Sequence, residues 1–446
     1  MRGIALGLIV ALVACSGGGG STTPHAPAAT SGASGNGVGA TPPPAPTIAA
    51  SGRIAHVIIL VQENRTFDNL FHGFPGAETA STGVTSSGAV VPLTPEPLED
   101  YYDLGHSHAN FETEYDGGKN DGFDQVATSP ATTALAPYQY VPQAQVQPYF
   151  DIATEFTVAD HMFASQNGPS FPGHEYLIAG QAGGADDDPS DEEPWGCDAP
   201  PGTTVPVYAA NGTATDVYPC FDYPTLGDLL DAAHLSWRYY TTVGTNVTLE
   251  TLPDPYDAIN HIRNGPDWSA DTVTPPTQIV SDIQRGNLAS VSWVNSPAAA
   301  SDHPQLNDGD GPSWVAYVVN ALGASSYYNN TVLFVTWDDW GGFYDHVVPS
   351  EYGVWGTGFR VPLLVVSPWA RHGYVSKPVH EFGSILHFVE ELYHLPSLGT
   401  RDAAADDLVD CFNFAQTPPA FTPIALTTLP FNLHRLAMDQ RPNDNY

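Results

Sequence analysis

Two short acidic stretches each follow an apolar run in this chain. Glu63-Asn64 ends the run IAHVIILVQ, and Asp338-Asp339 ends TVLFVTW. Aspartate is a poor strand residue, and two side by side repel one another. Three carboxylates and an amide oxygen brought together need a cation, and an all-oxygen set suits a hard divalent ion such as Ca²⁺ or Mg²⁺, with Zn²⁺ and Mn²⁺ also open. A plainer arrangement has Glu63 capping a helix near Thr66 and the aspartates in a solvated turn. Neighbours on a regular strand point to opposite faces, so Asp338 and Asp339 can share an ion only where the strand has ended. Gly341-Gly342 supplies a turn just there.

A second constellation is NGPSFPGHEYLIAGQ, with Ser170 between two proline turns at the start of a helical segment. Such a serine suits a nucleophile, because backbone N–H groups at a helix N-terminus also receive an anion; the alternative is a simple cap. The surroundings lack the Gly-x-Ser-x-Gly elbow of α/β-hydrolases. His106 and His108 in HSHANF, His303 in SDHP and His346 in FYDH are candidate acids at neutral or mildly acidic pH. Lys119 in GGKNDGF is a candidate partner for a phosphate or for the acid cluster, in a chain with only 13 Lys plus Arg.

These residues need strands and helices to position them. IAHVIILV (54–61), LASVSWVN (288–295), TVLFVTW (331–337) and VPLLVVSPW (361–369) read as buried strands. TLGDLLDAAHL (225–235), PSWVAYVVNALG (312–323) and EFGSILHFVEELYHL (381–395) read as helices. Strands alternating with amphipathic helices indicate an α/β fold with a mainly parallel sheet, whose ligands bind beyond the strand carboxyl ends. Residues 75–220 are turn-rich and are expected to form long loops over that end. The chain shows no repeat, no internal transmembrane run and no Gly-rich dinucleotide or phosphate loop.

With 49 acidic residues the net charge is −36, which argues against nucleic acid or an anionic membrane surface as partner. MRGIALGLIVALVAC reads as a targeting segment too short for a stable membrane anchor, and Leu12-Val13-Ala14-Cys15 looks like a bacterial lipobox. The expected organisation is a lipoprotein signal over 1–15 with Cys15 lipidated, and a Ser/Gly/Pro/Ala-rich disordered linker over 16–52. A catalytic domain over 53–414 and a tail over 415–446 follow. The protein would be anchored in the periplasm or on the outer membrane, or secreted if the signal is an ordinary one. Cys197 and Cys220 bracket a loop of 22 residues and form the natural disulfide pair, worth about 3 kcal/mol, with Cys411 left free and other pairings open.

Four ordered motifs resemble the bacterial phosphoesterase family that includes exported phospholipases C and an acid phosphatase, within the alkaline phosphatase superfamily. They are QENRTFDNLF, GGKNDGF, GPSFPGH and WDDWGGFYDHV, and the likeness spans residues 54–414. The resemblance implies an alkaline-phosphatase-like three-layer sandwich and one divalent metal ion on Glu63, Asn64, Ser170, Asp338 and Asp339. It implies that Ser170 attacks phosphorus to give a phosphoserine, with His106 and His303 on the phosphoryl oxygens or leaving group and His346 in support. The substrate would be a phosphate ester, with phospholipid among the candidates. Because residues 415–446 are too few for the extra C-terminal domains of phospholipase members, a compact phosphatase or phosphodiesterase is the favoured expectation. Asn120, Gly173 and Trp340 depart from the family pattern, and Trp340 stands where a histidine is common. A sulfatase is disfavoured because the Ser170 segment lacks the Arg of Cys/Ser-x-Pro-x-Arg. A non-catalytic surface lipoprotein that binds metal or phosphorylated ligands is the competing reading.

Overall fold

Seven parallel strands and one antiparallel strand form the central sheet. In chain order they are β1 (His56–Gln62), β2 (Thr157–Ala159), β3 (Trp237–Tyr240), β4 (Thr272–Val273), β5 (Val291–Asn295), β6 (Thr331–Trp337), β7 (Leu363–Val366) and β8 (Tyr374–Ser376). The sheet order is β4-β3-β5-β1-β6-β7-β2-β8, and β7 alone runs against its neighbours. The computed structural model describes residues 52–190, 194–209, 211–242, 254–349, 353 and 355–441. The expected signal, Cys15 and the linker up to residue 51 lie outside the described residues.

The central strands are continuous apolar runs because both faces are covered. Every residue of β6 is buried, and so are Val57 to Gln62 of β1. Side-chain alternation sends the two faces of β6 to different partners. Phe334 meets Phe388 of helix α7 (Phe382–Tyr393) edge-on, whereas Trp337 meets Tyr149 of helix α2 (Gln147–Glu155). Helix α3 (Ser170–Ala179) packs beside α7, and helix α6 (Gly311–Gly323) packs beside α2 and α5 (Gln278–Arg285). Helix, sheet and helix make three layers, as expected.

The four strands and three helices read from the sequence are present, the helix expected over 225–235 as α4 (Leu226–Ala232), with ends shifted by a few residues. The turn-rich region 75–220 is less loop-like than expected. It contributes β2 to the sheet and the helices α1 (His108–Tyr115), α2 and α3. The segment after Phe414 packs along α6. Ile424 and Leu436 are buried, Phe421 lies against Gly323, and Thr427 N–H donates to Ser313 Oγ at 3.0 Å. Cys197 and Cys220 form the expected disulfide, and Cys411 is buried and free. Among the described residues no helix is long and apolar enough to cross a membrane.

Candidate active site

Parallel pairing in register brings the two acidic stretches together. Gln62 lies opposite Trp337 at the last rung of β1 and β6, so Glu63 and Asp338 leave the sheet side by side. The strand ends at Trp337, which meets the geometric condition for neighbouring aspartates to serve one site. Asn64 takes a left-handed conformation, φ 57°, and its backbone N–H donates to Asp338 Oδ1 at 2.9 Å. Gly341, φ 59°, is forced at its position, since an added Cβ would lie 2.2 Å from Asn64 O.

Helix α3 delivers the serine. Ser170 is its first residue, wholly buried, and its Oγ donates to Asp339 Oδ2 at 3.2 Å. The other oxygen of Asp339 accepts from Gly341 N at 2.6 Å. One amide of this helix N-terminus is already engaged, because Phe171 N–H donates to Asp188 Oδ1 at 2.9 Å. Gly173 allows the helix to approach the strand end, since a Cβ there would lie 2.9 Å from Asp338 O.

His174 was not among the expected site residues, yet it lies at the centre of the acids. Its Nε2 is 3.3 Å from Glu63 Oε1 and 3.8 Å from Asp338 Oδ2, and ligand atoms of the three residues lie within 4.8 Å of one another. Four residues beyond Ser170 on a helix, it shares the serine's face, and that spacing is the signal that could have found it. Asn64 Oδ1 and Asp338 Oδ2 are buried without a hydrogen-bond partner. Buried acceptors left open among carboxylates fit a cation. Glu63, Asn64 and Asp338 would hold such an ion with His174, and the imidazole adds a nitrogen to the expected oxygen set.

The other expected histidines divide among three places. His106 Nε2 accepts from Asn64 Nδ2 at 2.8 Å, while Nδ1 donates to Leu104 O at 2.6 Å. His303 is buried with its ring centroid 6.2 Å from that of His106. His108 stands 2.9 Å from Asp186 Oδ2; burial pulls its pKa down, but Asp186 outweighs that and lifts it to about 9. His346 belongs to a separate buried network, with Nδ1 2.6 Å from Asp68 Oδ2 and Asp345 paired to Arg360 at 2.8 Å. This network ties QENRTFDN to FYDH, and Asn120 Nδ2 steadies it by donating to Asp345 O at 2.7 Å. Lys119 lies exposed on a loop with its ammonium on Asp116.

Trp340 fills an aromatic cluster with Phe111, Phe359 and Tyr138, edge-on to His106. Its Nε1 donates to Glu114 Oε2 at 2.6 Å. Burial pushes the Glu114 carboxyl well above its usual range. Arg65, also not foreseen, is buried beneath the site, donating to Asp302 O at 2.9 Å and pairing with Asp100 at 3.1 Å.

Clustered carboxylates and a helix-borne serine at the carboxyl ends of the central strands of a mainly parallel sheet define the class, an α/β sandwich with a buried, oxygen-rich site. The chain belongs to the Phosphoesterase family, whose model matches residues 54–396. It is 26% identical over 430 residues to the non-hemolytic phospholipase C of Burkholderia pseudomallei, covering 81% of this chain and 59% of that one. It is 25% identical over 430 residues to phospholipase C A of Mycobacterium tuberculosis, covering 83% and 79%. The chain thus spans less than two thirds of the Burkholderia relative's length. A protein of the alkaline phosphatase superfamily from Vibrio parahaemolyticus is similar in structure at a TM-score of 0.38 and 11% identity, over 80% of this chain and 71% of that one.

Proposed function

We propose that this protein is a metal-dependent phosphoester hydrolase that uses Ser170 as nucleophile. The observation that carries the reading is the Ser170 Oγ–Asp339 contact of 3.2 Å beside the Glu63–Asp338–His174 cluster. Glu63, Asn64, Asp338 and His174 would hold a divalent ion, which when bound would supply neutralisation of charge developing on the phosphoryl group and ease ionisation of the serine hydroxyl.

The chain's own residues supply the rest. Asp339 Oδ2 accepts the Ser170 proton as Oγ attacks phosphorus, forming the Ser–O–P bond while the bond to the leaving oxygen breaks. His106, whose Nε2 is engaged by the Asn64 amide, acts as a positioning residue that turns Asn64 Oδ1 towards the acids. His303 gives its proton to the leaving oxygen, which departs as the alcohol; water then attacks the phosphoserine, passing a proton to His303, while Asp339 returns its proton to the Ser170 oxygen as the Ser–O–P bond breaks. His346 and His108 stabilise surrounding loops, and Lys119 serves the exposed loop.

Phosphodiesters of the phospholipid type are the first substrates to try, supported by the phospholipases C among the relatives. The Cys197–Cys220 disulfide supports an oxidising, exported location. Turnover of p-nitrophenyl phosphate, bis-p-nitrophenyl phosphate and phosphatidylcholine is the test. Hydrolysis of at least one, lost with chelator and restored by a divalent ion, supports the proposal; no hydrolysis with any ion overturns it in favour of a binding protein.

A further inference from the structure

Three strands away from β6, at the far edge of the sheet, stands a second group of ligand-type side chains. His380, Asp410 and Cys411 present ligand atoms that all lie within 4.8 Å of one another. His380 and Cys411 are fully buried, and Asp410 is partly exposed. None of them touches the catalytic cluster in the contacts above. From these residues we propose a second metal site that takes a Zn²⁺-like ion, with His380 Nε2, Asp410 Oδ1 and Cys411 Sγ as ligands.

The donor chemistry is the first argument. A thiolate, an imidazole and a carboxylate form the mixed nitrogen, oxygen and sulfur set that suits zinc, whereas calcium and magnesium seek oxygen alone. The geometry is the second. Asp410 Oδ1 is 3.6 Å from His380 Nε2 and 3.6 Å from Cys411 Sγ, spacings that let all three reach one ion. The third argument is the orientation of the histidine. Asp406 Oδ1 lies 2.8 Å from Nδ1, a carboxylate placed behind the ring that leaves Nε2 as the ligand.

Ser376 Oγ sits between the arms, 2.8 Å from His380 Nε2 and 2.6 Å from Asp410 Oδ2. Its hydroxyl holds both ligands in place without an ion and is available as a fourth donor beside a water from the exposed side of Asp410. Ser376 ends β8, and the 406–411 loop is fixed by Leu408 N donating to Asp406 Oδ1 at 2.8 Å. Binding converts the Cys411 thiol to a thiolate with release of one proton. An ion here would pin the C-terminal loop to the edge strand, so the site is structural.

Zinc equilibration of the full chain, followed by elemental analysis, tests the proposal. Wild type is expected to hold one equivalent more than Cys411→Ser, and cobalt loading is expected to give a thiolate-to-cobalt charge-transfer band. That band should vanish in Cys411→Ser and persist in Asp338→Asn, which separates this site from the catalytic one. Asp406→Asn, which keeps all three ligands, should weaken zinc binding about 10- to 100-fold. Cys411→Ser should still hydrolyse the chain's phosphoester substrate. Where Cys411→Ser fails to fold, the charge-transfer band of cobalt-loaded wild type and Asp338→Asn decides. Equal zinc content in wild type and Cys411→Ser, or absence of the charge-transfer band, overturns the site.

Discussion

Ser170 Oγ and Asp339 Oδ2 stand 3.2 Å apart, joining the first turn of a helix to the end of a buried strand. Neither residue has a reason to be buried on grounds of packing alone. If Asp339 takes the serine proton, Asp339→Asn should lower kcat by about 10²- to 10⁴-fold, the range of a lost general base. KM should change little, and steady-state kinetics on p-nitrophenyl phosphate under saturating metal checks the split.

His174 is expected to contribute to metal affinity. His174→Ala should raise the dissociation constant of the bound ion by at least about tenfold, an amount read by titration with a fluorescent chelator. Retention of wild-type affinity would place His174 outside the ligand set.

Gly341 holds the turn that aims both aspartates. Gly341→Ala places a Cβ 2.2 Å from Asn64 O in a backbone with φ 59°. The expected outcome is a destabilisation of about 1–3 kcal/mol or more with loss of activity, measured by urea unfolding and turnover. Gly173→Ala, whose Cβ would meet Asp338 O at 2.9 Å, should affect activity more than stability.

Trp340 is a structural residue whose indole N–H partners a buried carboxyl. Trp340→Phe leaves Glu114 Oε2 without its donor and should cost about 1–3 kcal/mol. Glu114→Leu in the same background should recover part of that loss by removing the orphaned carboxyl, and a double-mutant cycle by thermal unfolding checks it.

Several buried acids tie stability to pH. Burial raises Asp254 to about 8, and burial with the charge of Asp198 raises Asp257 to about 9. A folded pKa above the unfolded value means that the folded state binds more protons in between. This stability is therefore fully present below about pH 4 and is lost as pH rises through 8 and 9. Unfolding free energy should fall from mildly acidic to alkaline pH, and Asp257→Asn should flatten the fall. Urea unfolding across pH 4–9 measures both.

The sheet centre was legible because its strands are doubly buried and so read as unbroken apolar runs. β2, β4 and β8 are two or three residues long, below the length at which periodicity carries a signal. The antiparallel sense of β7 is a matter of topology that its sequence, LLVV, does not encode. At the site, the acids and Ser170 announced themselves by chemistry at element ends. His174 did not, because its role depends on which helix face meets β6. Trp340 resisted reading for the same reason, since its partner Glu114 is remote in sequence. Lys119 drew notice because cations are scarce here, and in the structure its ammonium rests on the exposed Asp116.

Attack of Ser170 on phosphorus is tested by the turnover of Ser170→Ala, folded and saturated with metal, on the substrate the wild type hydrolyses best. A fall in kcat of at least about a thousandfold is expected. Activity within about tenfold of wild type would contradict it, leaving the buried serine a helix cap and the acids a metal site with another nucleophile.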